Sequence, residues 1–109
     1  MKLRVLMGFF IFLFLFHTFF EFAVVEGNSM YPTYKDHQLV LVRKHIICFP
    51  NDVVKAVDNQ GFIVVKRISG VQRDMYFLLG DNSQFSLDSR KLGPVTKNQI
   101  KGVVICQLI

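Results

Sequence analysis

Three short segments carry side chains that together can break an amide bond. Ser29 stands in Gly27-Asn28-Ser29-Met30-Tyr31-Pro32-Thr33 and Lys66 in Val64-Val65-Lys66-Arg67-Ile68-Ser69-Gly70. Ser86, Asp88 and Arg90 follow in Gly80-Asp81-Asn82-Ser83-Gln84-Phe85-Ser86-Leu87-Asp88-Ser89-Arg90. A serine hydroxyl is a poor nucleophile until a base takes its proton. A lysine becomes such a base when desolvation disfavours its ammonium form and lowers its pKa. Serine and lysine form a known variant of the serine hydrolase triad, and that pairing needs no histidine. His17, His37 and His45 are isolated, and a lone histidine is more often structural than catalytic or metal-binding.

Each segment also has a plainer reading. A serine near Gly and Pro is usually an ordinary loop residue. A strand lysine usually snorkels to solvent, and Gly-Asp-Asn is an easy turn former. Local features favour the chemical reading. Pro32 biases Tyr31 toward an extended backbone, and Gly27 removes a side chain that would obstruct a passing peptide, so Ser29 gains a stiff, open loop.

The elements that must hold these residues are strands. β-Branched runs at 38–43, 52–57, 62–68, 75–79 and 102–109 are separated by turn residues, with no repeat and no long amphipathic helical period. Gly61 after Asp58-Asn59-Gln60 supplies the positive φ of a hairpin turn between the second and third runs. In the third run alternation puts Lys66 on the face of Phe62, Val64 and Ile68, and Arg67 on the other face with Ile63 and Val65. Lys66 therefore has apolar company.

The 109 residues allow one small domain. The phenylalanines crowd between Phe9 and Phe20, and residues 5–25 are apolar apart from His17, Thr18 and Glu21. That is enough for a membrane-crossing helix, which needs about 20 mainly apolar residues. A cleaved leader also fits a basic start and an apolar stretch, but a small-x-small cleavage pattern is poor here, with Glu21 two residues before Ala23. The expected organisation is an anchor at 1–25 and a β-rich domain at 26–109. Lys2 and Arg4 before the span place the N-terminus in the cytoplasm and the domain outside it. Phe22, Val24, Met30 and Tyr31 are candidates for extending the apolar surface into the lipid interface.

The net charge of +5 comes from scattered residues. It points to membrane lipids, and no nucleic-acid footprint is indicated. Cys48 and Cys106 lack metal-ligand spacing, so no metal site is expected. They are either one disulfide or two apolar thiols.

Together the three segments resemble the type I signal peptidase family, whose signature joins a Ser-Met-x-Pro-Thr loop, a Val-Lys-Arg strand and a Gly-Asp-Asn…Ser-x-Asp-Ser-Arg segment. All three occur in family order, and the resemblance extends over nearly the whole chain after Val25, including Asp36 and the run at 39–42. It implies a mainly β fold: an N-terminal transmembrane helix and a small antiparallel β domain, like the core shared with self-cleaving repressor peptidases.

The resemblance further implies a serine endopeptidase that removes signal peptides from exported precursor proteins, without a cofactor. Ser29 would attack, Lys66 would take its proton and Ser86 would orient the lysine amine. The Ser29 backbone N–H would serve the oxyanion, and Met30 and Gly27 would border the substrate. Some relatives place a serine hydroxyl at the position of Gly27, so that half of the oxyanion hole is absent or replaced. Asp88 would be structural, pairing with Arg90 and Arg67. Only residues 71–79 separate Gly70 from Gly80, where relatives carry a sizeable β insertion. This minimal form leaves room for a peptidase dedicated to one cargo, or for an inactive signal-peptide binder.

Overall fold

A computed structural model describes residues 2–109. An apolar helix, α1 (Lys2–Phe19), leads into seven strands: β1 (Phe20–Val24), β2 (Leu39–Arg43), β3 (Val53–Val57), β4 (Ile63–Gln72), β5 (Met75–Leu79), β6 (Val95–Thr96) and β7 (Ile100–Gln107). A short helix, α2 (Ser89–Leu92), and two 3-10 turns complete the chain. The strands form one antiparallel sheet in the order β1-β2-β7-β3-β4-β5-β6. The sheet curls, so that Glu21 of β1 reaches Lys55 of β3 in a 2.8 Å ion pair although two strands lie between them.

α1 has no buried residue and is long and apolar enough to cross a membrane. It stops at Phe19, earlier than the expected span. Residues 20–24, assigned to the anchor from hydropathy, form β1 and pair with β2 from Phe20↔Arg43 to Val24↔Leu39. The reason is the partner: β2 offers an open ladder edge to backbone groups that the helix would otherwise hold. At about 3.3 Å per residue, β1 carries the chain roughly 16 Å from the helix end before the Ser29 loop begins.

The β3–β4 hairpin follows the sequence expectation. Val53↔Arg67 through Val57↔Ile63 pair in register. Gly61 has φ +88°, and the Asp58 carboxylate accepts from the N–H groups of Gln60 and Phe62, both at 2.9 Å. β4 runs on to Gln72, past the expected end at Ile68, because Arg73 and Asp74 both take positive φ and close a two-residue turn into β5.

Both faces of the sheet are covered. Val40, Val42, Val53, Val65 and Val104 gather round Met30 and Val25 on one face. Val54, Ala56, Ile68, Leu78 and Val95 form a second cluster. Cys48 and Cys106 are free thiols.

β7 lies between β2 and β3, and its approach to β2 depends on Gly102. A Cβ there would stand 2.5 Å from Val42 Cγ1 and 2.7 Å from the Arg43 carbonyl oxygen. Gly102→Ala is expected to cost about 1–3 kcal/mol through this overpacking, read as a lowered melting temperature in a thermal scan.

Candidate active site

The β3–β4 register decides where Lys66 and Arg67 go. Lys66 pairs with Val54 and turns to the side of the second cluster, where it is only 5% exposed. Arg67 turns to the opposite side and stays half-buried.

The Lys66 amine donates to Ser86 Oγ at 3.1 Å. Ser86 Oγ in turn donates to Asp88 Oδ2 at 2.6 Å. Asp88 is 4% exposed and also accepts from the Gly80 N–H at 2.8 Å and from Arg90 Nε and Nη2 at 2.9 and 2.6 Å. It caps α2 through the Arg90 N–H as well.

The charges follow from these contacts. Burial lowers the Lys66 pKa from its ordinary value, and the Arg90 cation adds to that. The Asp88 and Asp58 carboxylates oppose it without cancelling it. Burial alone would push the Asp88 carboxyl up. Its hydrogen bonds from Arg90, Ser86 and the Gly80 backbone prevail and hold it well below the usual carboxylate range. Asp88 is thus fixed as an anion that accepts the Ser86 hydrogen bond, and Ser86 presents only lone pairs to Lys66.

Ser29 lies on the loop after β1. Its carbonyl accepts from the Asn82 N–H at 2.8 Å, and Ser29 lines the same groove as Lys66, together with Ala23, Val24, Ile63 and Val64. The groove encloses about 470 Å³. No hydrogen bond joins the Ser29 and Lys66 side chains among the described residues. Gly80 lets the two loops meet. A Cβ on it would fall 2.2 Å from Ser86 Oγ and 2.7 Å from the Ser29 carbonyl oxygen.

Two site expectations need correction. Arg67, expected on Asp88, instead forms a two-pronged pair with Asp81, Nε and Nη2 each 2.8 Å from its oxygens. Asp88 lies on the Lys66 side of β4, and Arg67 projects from the other. Met30, expected to border substrate and lipid, is 0% exposed. It fills the first cluster, and its sulfur accepts from the Asp81 N–H at 3.4 Å. Tyr31, Phe22 and Val24 do face outward. Gly27 is exposed at φ +80° with no atom near its Cβ position, and its N–H donates to Asp36 at 2.7 Å.

Asp81 is the residue that sequence reasoning missed. It also accepts from Thr33 Oγ1 at 2.5 Å, so it ties the Ser29 loop to the strand of Lys66. Its own segment contains a second aspartate, and only the three-dimensional path of the chain shows which one faces Arg67.

The comparisons agree with this architecture. The family model described as signal peptidase, peptidase S26, matches residues 50–109, which include Lys66 and the Gly80 to Arg90 segment. A signal peptidase I of Bacillus amyloliquefaciens is 28% identical, over 72% of this chain and 70% of that relative. Signal peptidase I V of Bacillus subtilis (strain 168) is 26% identical, over 73% of this chain and 80% of that relative. With more than half of its residues matched by the family model, on a curled antiparallel sheet that follows an apolar helix, the chain belongs to the signal peptidase, peptidase S26 family.

Proposed function

We propose that this protein is a serine endopeptidase that removes signal peptides from exported precursors, with Ser29 as nucleophile and Lys66 as general base. The observation that carries the reading is the directed chain from Lys66 through Ser86 to Asp88. Because Ser86 gives its only proton to Asp88, it can only accept from Lys66. A neutral Lys66 amine then keeps its lone pair for the proton of Ser29.

In this reading Ser29 Oγ attacks the scissile carbonyl carbon while its proton passes to Lys66 Nζ. The negative charge that develops on the carbonyl oxygen is met by the Ser29 backbone N–H, which has no other hydrogen-bond partner among the described residues. Gly27 has no side-chain donor to add. As the C–N bond breaks, the Lys66 ammonium returns the proton to the leaving amine, and a Ser29 ester remains. Water, deprotonated by Lys66, then hydrolyses the ester and frees Ser29.

The substrate has a place to lie. β1 is an edge strand, and residues 63–66 of β4 lack a partner on the side where β5 pairs only from Arg67 onward. An extended peptide between these edges can add backbone hydrogen bonds to them, and open space at Gly27 lets it pass toward Ser29. α1 serves as the anchor, with Lys2 and Arg4 favouring a cytoplasmic N-terminus and an extracytoplasmic domain. β1 then belongs to the catalytic domain.

The full chain, reconstituted in lipid with a precursor protein, is expected to cleave it. Ser29→Ala and Lys66→Ala should each lose at least about 10³-fold in rate, and Ser86→Ala should lose less. Cleavage that survives Ser29→Ala would refute the assignment. A wild type that processes a single cargo and no generic precursor would mark a dedicated enzyme.

Lys66 also makes a stability prediction. Its pKa is lowered in the folded chain, so folding is penalised wherever Lys66 is charged, and stability rises as pH climbs from its native pKa toward the ordinary lysine value. Lys66→Met should therefore abolish cleavage and yet stabilise the fold by about 1 kcal/mol at neutral pH. In melts across a pH series, the gain should fade above about pH 10.5.

A further inference from the structure

Besides α1, an exposed apolar segment lies at the helix end of the sheet. The Lys44 N–H donates to the Phe19 carbonyl at 2.7 Å, and the Arg43 guanidinium stands over the Phe19 ring at 4.9 Å. The segment leaving this point exposes Ile46, Ile47 and Phe49 at 48%, 69% and 62%. Three large apolar side chains this open within four residues are costly to leave in water.

Opposite them, across a groove of about 520 Å³, stand Lys97 and Lys101. Register places them at the same end. Arg43 pairs with Val103, and the Arg43 carbonyl sits against Gly102. Arg43, Lys44, Lys97 and Lys101 thus gather where the helix meets the sheet. Glu21, the acid of β1, is already paired with Lys55.

We infer that residues 44–49 are a second membrane contact. Ile46, Ile47 and Phe49 dip into the interface beside α1, and Lys44, Lys97 and Lys101 face the phosphates of acidic phospholipids. The inference rests on α1 being the anchor. If Phe19 lies at the bilayer surface, Lys44 is bonded to that surface. Ile47 is then three residues further, within about 11 Å whatever path the loop takes. An amphipathic segment with cations at its polar edge binds such an interface by apolar burial together with attraction to anionic headgroups. Helix and loop then hold the domain at two points, which restricts its tilt on the membrane as a single helix cannot.

The chain has no tryptophan, so one introduced residue reports on its own surroundings. Ile47→Trp, Phe85→Trp and Phe12→Trp full-length proteins would be placed in nanodiscs of phosphatidylcholine and phosphatidylglycerol with brominated acyl chains. Phe85 is exposed and is tied through Asn82 to the Ser29 carbonyl, beyond the end of β1 that lies away from α1. Ile47→Trp should show blue-shifted emission and a large loss of intensity to bromine, and Phe85→Trp neither. Adding Lys97→Glu and Lys101→Glu should reduce the Ile47→Trp quenching in the acidic discs, with little change in pure phosphatidylcholine.

Phe12→Trp tests the anchor separately. If it is quenched while Ile47→Trp is as unquenched as Phe85→Trp, the loop proposal fails and the anchor stands. If Phe12→Trp is unquenched, the anchor reading fails and the inference falls with it. Equal quenching of Ile47→Trp in both lipids, unaffected by the glutamates, would refute the acidic-lipid part. Phe49→Trp supplies a second reporter should Ile47→Trp fold poorly.

Discussion

A lysine amine can accept a proton near neutral pH only if the fold makes its charged form expensive, and here that expense is burial. Lys66 is enclosed beside Val54, Val64 and Ile68, and desolvation outweighs the pull of Asp88 and Asp58 toward protonation. Asp88 is needed to direct Ser86, yet its charge works against the neutral amine. Arg90 eases the conflict. It pairs with Asp88 in a two-pronged contact and adds a positive field that disfavours a second cation at Lys66. The polar groups round the site are therefore arranged in order: arginine on aspartate, aspartate on serine, serine on lysine.

The proposed chemistry also needs Ser29 brought to the buried amine, and the Ser29 loop reaches the groove by three ties. Met30 is sunk in the first cluster, Thr33 is bonded to Asp81, and the Ser29 carbonyl is held by the Asn82 N–H. All three lead to the same Gly80-Asp81-Asn82 turn, Met30 through its sulfur on the Asp81 N–H, and that turn also passes Ser86 and Asp88 to the other face of β4. One turn thus fixes the Ser29 and Lys66 segments relative to each other. Gly80 at its start is the residue whose lack of a side chain permits the approach.

Much of this could be read along the chain. The two-residue period of 62–68 separates Lys66 from Arg67, and Asp58 to Gly61 sets their register, because strand alternation and turn chemistry are local properties. What required the fold was long-range. Phe20, Phe22 and Val24 are as apolar as the helix before them, so hydropathy has no means of marking where α1 gives way to β1. Glu21 was the one local sign, and its partner Lys55 is 34 positions away. The exchange of Asp88 for Asp81 as the Arg67 partner has the same origin, since spacing cannot say on which side of β4 a loop will pass. Met30 likewise sits in a loop by sequence and in the core by structure, because the curl of the sheet closes over it.

The account depends most on the protonation of Lys66. NMR of the full chain labelled at lysine with ¹⁵N, in lipid micelles and with the Lys66→Met spectrum to assign the Lys66 signal, follows that amine directly through a pH titration. A midpoint clearly below the ordinary lysine value of about 10.5, moving lower still in Asp88→Asn, is the result this structure predicts. A midpoint at or above that value would mean that the buried amine stays charged, and Lys66 would then be a salt-bridge partner of Asp88 and not the base.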